Sequence, residues 1–205
     1  MEKIRINYDQ KLEELIKSLD YKPKLLLHSC CGPCSSYVIT YLSDYFDISI
    51  LYYNPNIEPD GEFQKRKETQ LKLIDKLKLD NVSFLDIPYD NKEFKDIVGG
   101  HESDPEGGER CHLCYDLRLT KTAKLASEKG FDYFCTTLTV SPYKNSYVIN
   151  EIGEKIGEYY NIKWLYSDFK KKDGYKKSIE LSKKYNLYRQ NYCGCMFCPN
   201  YNTEK

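Results

Sequence analysis

The chain has 205 residues, of which 40% are hydrophobic and 30% charged, a composition that fits one globular domain with one core and excludes a disordered or fibrous protein. Lysine plus arginine and aspartate plus glutamate each number 31, so no overall field draws the chain toward a polyanion, and any such site is local. No window approaches 18 consecutive apolar residues and the first twenty mix charge with Ile and Leu, so neither a membrane span nor a secretory leader is expected.

Leu12, Leu15, Ile16 and Leu19 follow helical spacing and Pro23 ends that helix, making 1–22 a helical preamble within a single domain over 1–205. Lys24–His28, KLLLH, is an apolar run of strand length. It leads at once into Ser29-Cys30-Cys31-Gly32-Pro33-Cys34-Ser35-Ser36, and then into Tyr37, Val38, Tyr41 and Leu42 at helical spacing. The motif therefore occupies a strand-loop-helix turn. A second strand over Ile48–Tyr53, a loop over Asn54–Pro59, a long helix over Glu62–Leu79 and a third strand over Val82–Ile87 follow.

A short helix at Asn91–Val98 and an acidic, turn-rich loop at Gly99–Gly108 deliver the chain to Cys111-His112-Leu113-Cys114, which opens a helix running to Lys129. Phe131–Thr137 reads as a fourth strand, Thr139–Asn145 as a polar loop and Ser146–Tyr160 as a helix. Ile162–Leu165 reads as a fifth strand and Ser178–Tyr185 as a last helix, with 196–205 as a flexible tail. Alternating strands and helices predict an α/β fold, a mostly parallel sheet with helices on both faces. In such sheets the site lies at the carboxyl ends of the strands, which is where the first cysteine cluster falls.

Nine clustered cysteines without a leader pattern point to metal or redox chemistry. Cys30 and Cys31 are adjacent, Cys34 follows three residues later, and Cys111 and Cys114 form a distant CxxC. Four thiolates suit tetrahedral zinc as well as a 4Fe-4S cluster. Adjacent thiolates chelate one ion awkwardly but reach different irons of a cubane, which favours iron-sulfur. Cys193-Gly194-Cys195 can close a small, strained and easily reduced disulfide ring, or can be an ordinary buried thiol pair. Cys135 reads as a core residue, and Cys198 carries no assigned role. His28 reads as structural, His101 and His112 as solvent-facing, and Asp90 and Asp168 as helix caps or turn residues.

Four segments in this order, HSCCGPCSSY, GGERCHLCYDLRLTKTA, CTTLTVSPYKN and SDFKKKDGYKKSIELSKKYNLYRQNYCGC, resemble the QueH family of epoxyqueuosine reductases from about Lys24 to Cys195. The resemblance implies a fold similar to nucleotide alpha-hydrolases of the ATP-pyrophosphatase type, and a cytoplasmic oxidoreductase that converts epoxyqueuosine at the tRNA wobble position to queuosine, the last step of queuosine biosynthesis. It implies Cys30, Cys31, Cys111 and Cys114 as 4Fe-4S ligands, and a redox-active disulfide between Cys193 and Cys195. Cys198 departs from the pattern and leaves open which of Cys195 and Cys198 is the disulfide partner. An additional mononuclear iron is implied beside the cluster, for which Cys34 and Asp90 are the candidate ligands. Implied partners are tRNA bearing epoxyqueuosine, met at its anticodon loop, and an unidentified electron donor, with no membrane.

Charge is segregated: 86–116 holds nine acidic and three basic residues, and 161–190 nine basic and three acidic. Within the latter, Lys170, Lys171, Lys172, Lys176, Lys177, Lys183 and Lys184 are the expected phosphate track. Tyr188, Arg189, Gln190 and Tyr192 would lie between it and the redox pair. A zinc-stabilised RNA-binding module and a thiol-disulfide oxidoreductase are the competing readings.

Overall fold

Leu25, Leu26 and Leu27 form the centre of β1 (Lys24–His28), and all three side chains are fully buried. A strand apolar on both faces needs cover on both faces. The structure, a computed structural model, describes residues 6–198. β2 (Asp47–Leu51), β3 (Val82–Leu85), β4 (Tyr133–Thr136) and β5 (Lys163–Trp164) join β1 in a five-stranded sheet of order β3-β2-β1-β4-β5, every neighbouring pair parallel.

The period-2 alternation of the strands divides the core into two layers. Leu25, Leu27, Ile48 and Ile50 pack with residues of α1 (Tyr8–Ser18), α2 (Gly32–Leu42) and α3 (Asp60–Leu77), and α7 (Gly174–Lys184) lies against α2. Leu26, Leu51 and Phe134 face the other layer, built from α5 (Glu109–Glu128) and α6 (Ser146–Tyr160). α4 (Asn91–Val98) adds Phe94 and Val98 to a satellite cluster that contains Cys114, Cys195 and Cys198. The expected α/β architecture with helices on both faces is the one observed. No described helix is long and apolar enough to cross a membrane.

Three local departures from expectation have physical causes. The helix read from Tyr37 begins at Gly32, because Cys31 caps it: the Cys31 Sγ accepts the Cys34 N–H at 3.4 Å, and Pro33 stands in the first turn. The polar loop read from Thr139 begins instead as a buried 3₁₀ turn, Thr137–Val140. Its polar groups are satisfied internally, with Thr136 Oγ1 accepting the Leu138 N–H (3.2 Å) and Thr139 Oγ1 3.2 Å from Ser167 Oγ. Of the tail expected over 196–205, Cys198 is buried and its N–H donates to Cys195 O (3.0 Å), so the chain turns back on the domain there. The rest of that tail, 199–205, and the first five residues of the preamble lie outside the described residues.

Sheet order reverses at β1: β2 and β3 lie to one side, β4 and β5 to the other. The chain leaves β1 and β4 toward opposite faces of the sheet, α2 packing in one core layer and α6 in the other, which places a crevice at the carboxyl edge between them. α7 is drawn close to this edge by Gly174, where a β-carbon would stand 1.8 Å from Phe169 O and 2.6 Å from the Tyr37 ring. Gly174→Ala is therefore expected to force α7 off α2 and lower unfolding stability by about 1–3 kcal/mol, the usual cost of overpacking, read by urea denaturation.

Candidate active site

The first wall of the crevice is the turn from β1 into α2. Ser29 Oγ donates to Gln70 Oε1 (2.6 Å) and Asn54 Nδ2 donates to Ser29 O (2.9 Å), which fixes the turn to α3 and to the loop after β2. On this base the sulfurs of Cys30, Cys31 and Cys34 converge, all within 4.8 Å of one another. The 3₁₀ turn after β4 reaches the same point, for Thr137 Oγ1 donates to Cys30 Sγ (3.3 Å) and accepts the Cys30 N–H (3.2 Å). Both loops of the topological switch thus meet at one sulfur.

These three cysteines line a cavity of about 420 Å³, whose other walls come from Tyr175 on α7 and from the C-terminal segment, including Arg189, Tyr192, Cys193 and Cys198. A small cavity of about 30 Å³ is lined by Cys111, Cys114 and Cys195. Arg118, Lys144 and Cys193 line both. Cys111 and Cys114 open α5, one turn apart, and Cys111 Sγ accepts the Gly107 N–H at 3.3 Å. Eight of the nine cysteines therefore border two cavities that share a wall. Cys135 borders neither cavity and is fully buried in the main core, as its sequence position suggested. Among the described residues no two cysteines are joined by a disulfide.

One buried cation, Arg118, and one partly buried, Lys144, set the electrostatics. The Arg118 guanidinium donates to Asn54 Oδ1 (2.6 Å), approaches Cys114 Sγ at 3.8 Å and lies 3.2 Å from His28 Nε2. Burial opposes its charge, and the surrounding sulfurs of Cys114 and Cys30 more than restore it. Lys144 is held in the charged state in the same way, by Tyr115, Cys193 and Cys30 against the cost of burial. Hydrogen bonds from Cys31 and Cys34, aided by Arg118, bring the Cys30 thiol well below its ordinary value, and donation to Cys30 pushes Cys31 up to about 12. Hydrogen bonds from Cys195 and Cys198, aided by Lys144, lower Cys193 in parallel. The Cys30 group and the Cys193 group thus each contain one thiolate-favouring member beside a cation.

The expected ligand set is brought together in two parts. Cys30 and Cys31 converge with Cys34, while Cys111 and Cys114 border the small cavity. Asp90 is exposed, caps α4 by accepting the Lys92 N–H (2.8 Å), and stands outside the converging sulfur group. Asp168 accepts from Lys170 Nζ (2.7 Å) in a turn, and His28 is fully buried between Thr136 Oγ1 and Tyr53 O. Both have the structural roles read from sequence. Sequence reasoning missed Arg118, Lys144 and Arg66. A signal existed for the first, since Arg118 stands one helical turn beyond Cys114. Arg66 is buried, paired to Glu62 and placed over the Tyr192 ring at 4.8 Å. Its Nη2 and the Oε1 of Gln190 are buried without hydrogen-bond partners, and both residues line the wider cavity. Such groups call for a partner, which a water or a polar ligand can supply.

A model of the family described as epoxyqueuosine reductase QueH matches residues 25–200. Among curated relatives, the epoxyqueuosine reductase QueH of Staphylococcus aureus is 42% identical over 205 residues, covering 96% of this chain and 85% of the relative. That of Streptococcus pyogenes is 41% identical over 199 residues, covering 94% and 78%, and that of Thermotoga maritima 36% over 176 residues, covering 84% and 88%.

Arg118→Met would leave Asn54 Oδ1 unpaired and withdraw the cation from Cys30 and Cys114. A loss of about 1–3 kcal/mol in unfolding stability is expected, the cost of a buried unsatisfied acceptor, measured by denaturant titration.

Proposed function

The chain belongs to the epoxyqueuosine reductase QueH family, and we propose that its cysteine-lined cavity is where the epoxide is reduced. The protein is an oxidoreductase of queuosine biosynthesis that reduces epoxyqueuosine. The observation that carries the site assignment is that Cys193 lines the same cavity as Cys30, Cys31 and Cys34 and also the cavity of Cys111 and Cys114.

Turning an epoxide into an alkene removes oxygen as water and takes two electrons and two protons. Two thiols closing to a disulfide release the same number, and Cys193 with Cys195 are assigned that role. Only Gly194 separates the two thiols, and both line the small cavity. Thiols are soft ligands, and three converging sulfurs with Arg118 and Lys144 to offset their charge fit a sulfur-ligated iron centre. Cys30, Cys31, Cys111 and Cys114 would hold a 4Fe-4S cluster, with Cys34 for an additional iron. When bound, the group supplies one-electron transfer and Lewis acidity.

The polypeptide does the positioning. Arg66 Nη2 and Gln190 Oε1 offer one unused donor and one unused acceptor to the hydroxyl-bearing substrate ring. Tyr175, Arg189 and Tyr192 give the cavity flat surfaces on which a base extruded from an anticodon loop stacks. The tRNA backbone is assigned to the basic face of α7, through part of the track expected from sequence. Lys170 is paired with Asp168, and Lys172 with Asp9 and Glu13 of α1, so neither is the leading phosphate contact. Lys177 and Lys184, with the ion-paired Lys172 and one carboxylate, Glu180, line a groove that also holds Tyr37 and Tyr41, stacked with centroids 5.9 Å apart. A cytoplasmic setting and an external electron donor complete the reading.

Protein purified without oxygen is expected to carry about four to five iron and about four sulfide per chain, with broad visible absorption. Cys30→Ser and Cys111→Ser should each lose the iron and the conversion of epoxyqueuosine in tRNA. Colourless protein holding zinc would overturn the iron-centred reading and favour a zinc-stabilised RNA-binding role for the sulfur sites.

Lys177→Glu with Lys184→Glu is expected to weaken tRNA binding and to make the dependence of log affinity on log salt shallower by about one unit per lysine. Fluorescence anisotropy at several salt concentrations reads it, and an unchanged slope would remove the groove from the tRNA path.

A further inference from the structure

The C-terminal segment carries three thiols, and only two are needed to store an electron pair. Their arrangement is not a triangle. Among the described residues, Cys193, Cys195 and Cys198 do not lie within 4.8 Å of one another as Cys30, Cys31 and Cys34 do, and of the three only Cys193 lines both cavities. Cys193 is the hub and the other two are spokes. A set of this shape is poor as a tridentate metal site but is suited to exchange of one disulfide between two partners.

The spokes face different spaces. Cys195 borders the small cavity with Cys111 and Cys114, whereas Cys198 borders the wider cavity, and Cys193 borders both. The backbone holds this division. Gly194 has φ +98°, a left-handed turn that reverses the chain between Cys193 and Cys195, and its carbonyl accepts the Glu58 N–H at 3.0 Å. The Cys198 N–H donates to Cys195 O, which folds the third thiol back toward the first.

We propose that Cys198 is a third redox residue, which takes over the disulfide from Cys195 and carries it from the inner cavity to the wider one, where an external dithiol can reduce it. The inference rests on the reading of Cys193 as a redox thiol. Turnover leaves a Cys193–Cys195 disulfide. The Cys198 sulfur attacks Cys193 Sγ, a Cys193–Cys198 bond forms, the Cys193–Cys195 bond breaks, and Cys195 departs and accepts the proton that Cys198 gave up. No electron enters or leaves in this exchange. A dithiol donor then supplies two electrons and two protons, ending as its own disulfide with Cys193 and Cys198 both thiols. The direction is favourable because a ring closed across a single glycine is strained and the longer loop is less so.

The test is disulfide mapping in the full-length protein. The reduced protein is oxidised with a stoichiometric diazene oxidant, quenched with an alkylating reagent and cleaved after Phe197. A Cys193–Cys195 bond then stays within one peptide, while Cys193–Cys198 joins two. Both linkages are expected in the unaltered protein, which needs no variant to fold. In Cys195→Ser or Cys195→Ala the Cys193–Cys198 bond is expected to form. In Cys198→Ser the reduction of the oxidised protein by dithiothreitol is expected to slow about tenfold. If Cys193–Cys195 forms but no Cys193–Cys198 bond is found in any protein, the relay is wrong and the two-thiol reading stands. If Cys193 enters no disulfide at all, the redox-pair reading falls with it. A Cys195–Cys198 bond forming readily in Cys193→Ser would overturn the hub assignment.

Discussion

A guanidinium buried beneath clustered sulfur is the interaction on which the site depends. Arg118 lies within the protein at 3% exposure, where an isolated charge is costly unless it is paired and hydrogen-bonded. It binds Asn54 from the loop after β2, approaches Cys114 on its own helix and lies against His28 at the end of β1. One side chain therefore ties α5 to two strand ends across the crevice. The same charge acts on Cys30 from the turn after β1. Gathering many thiols in one place would otherwise set developing negative charges against one another, and the buried cation makes the assembly tolerable.

Lys144 extends this arrangement to the far side. It leaves the loop that follows β4, so the second strand of the topological switch contributes a cation as the first contributes sulfur. Its partners include both Cys30 and Cys193, which come from opposite ends of the chain. A family of enzymes that removes oxygen from an epoxide needs electrons, protons and a dry place to bring them together. The sheet edge gathers cysteines around one crevice. Arg66, Tyr175 and Tyr192 close the space around them. The sulfurs divide between two cavities, with Cys193 common to both.

Much of the fold was legible because the chain alternates strand and helix patterns so regularly. KLLLH reads as a strand buried on both faces, and that is what β1 is. The cysteine spacings were equally legible: CCGPC at a strand end and CHLC at a helix start point to thiolate chemistry whatever the surroundings. Less was visible where polar residues are buried. Thr137 and Thr139 look like loop residues, yet they sit in a 3₁₀ turn inside the protein because neighbouring hydroxyls and N–H groups satisfy them. The lysine run at 170–172 looked like a surface for phosphate, and ion pairs with Asp168, Asp9 and Glu13 instead spend part of it on holding α1 and the turn before α7.

By itself the amino-acid order determined the parallel α/β class, the placing of Cys30 and Cys31 at the working edge, and the family likeness carried by four short motifs. These are properties of local periodicity and spacing, which neighbouring residues decide among themselves. Only the tertiary structure decided that Cys34 joins Cys30 and Cys31, that Cys193 stands between two cavities, and that Arg118 and Lys144 are the cations that hold them. Those relations link residues far apart in the chain, and they exist only once strand order and helix packing bring the segments together.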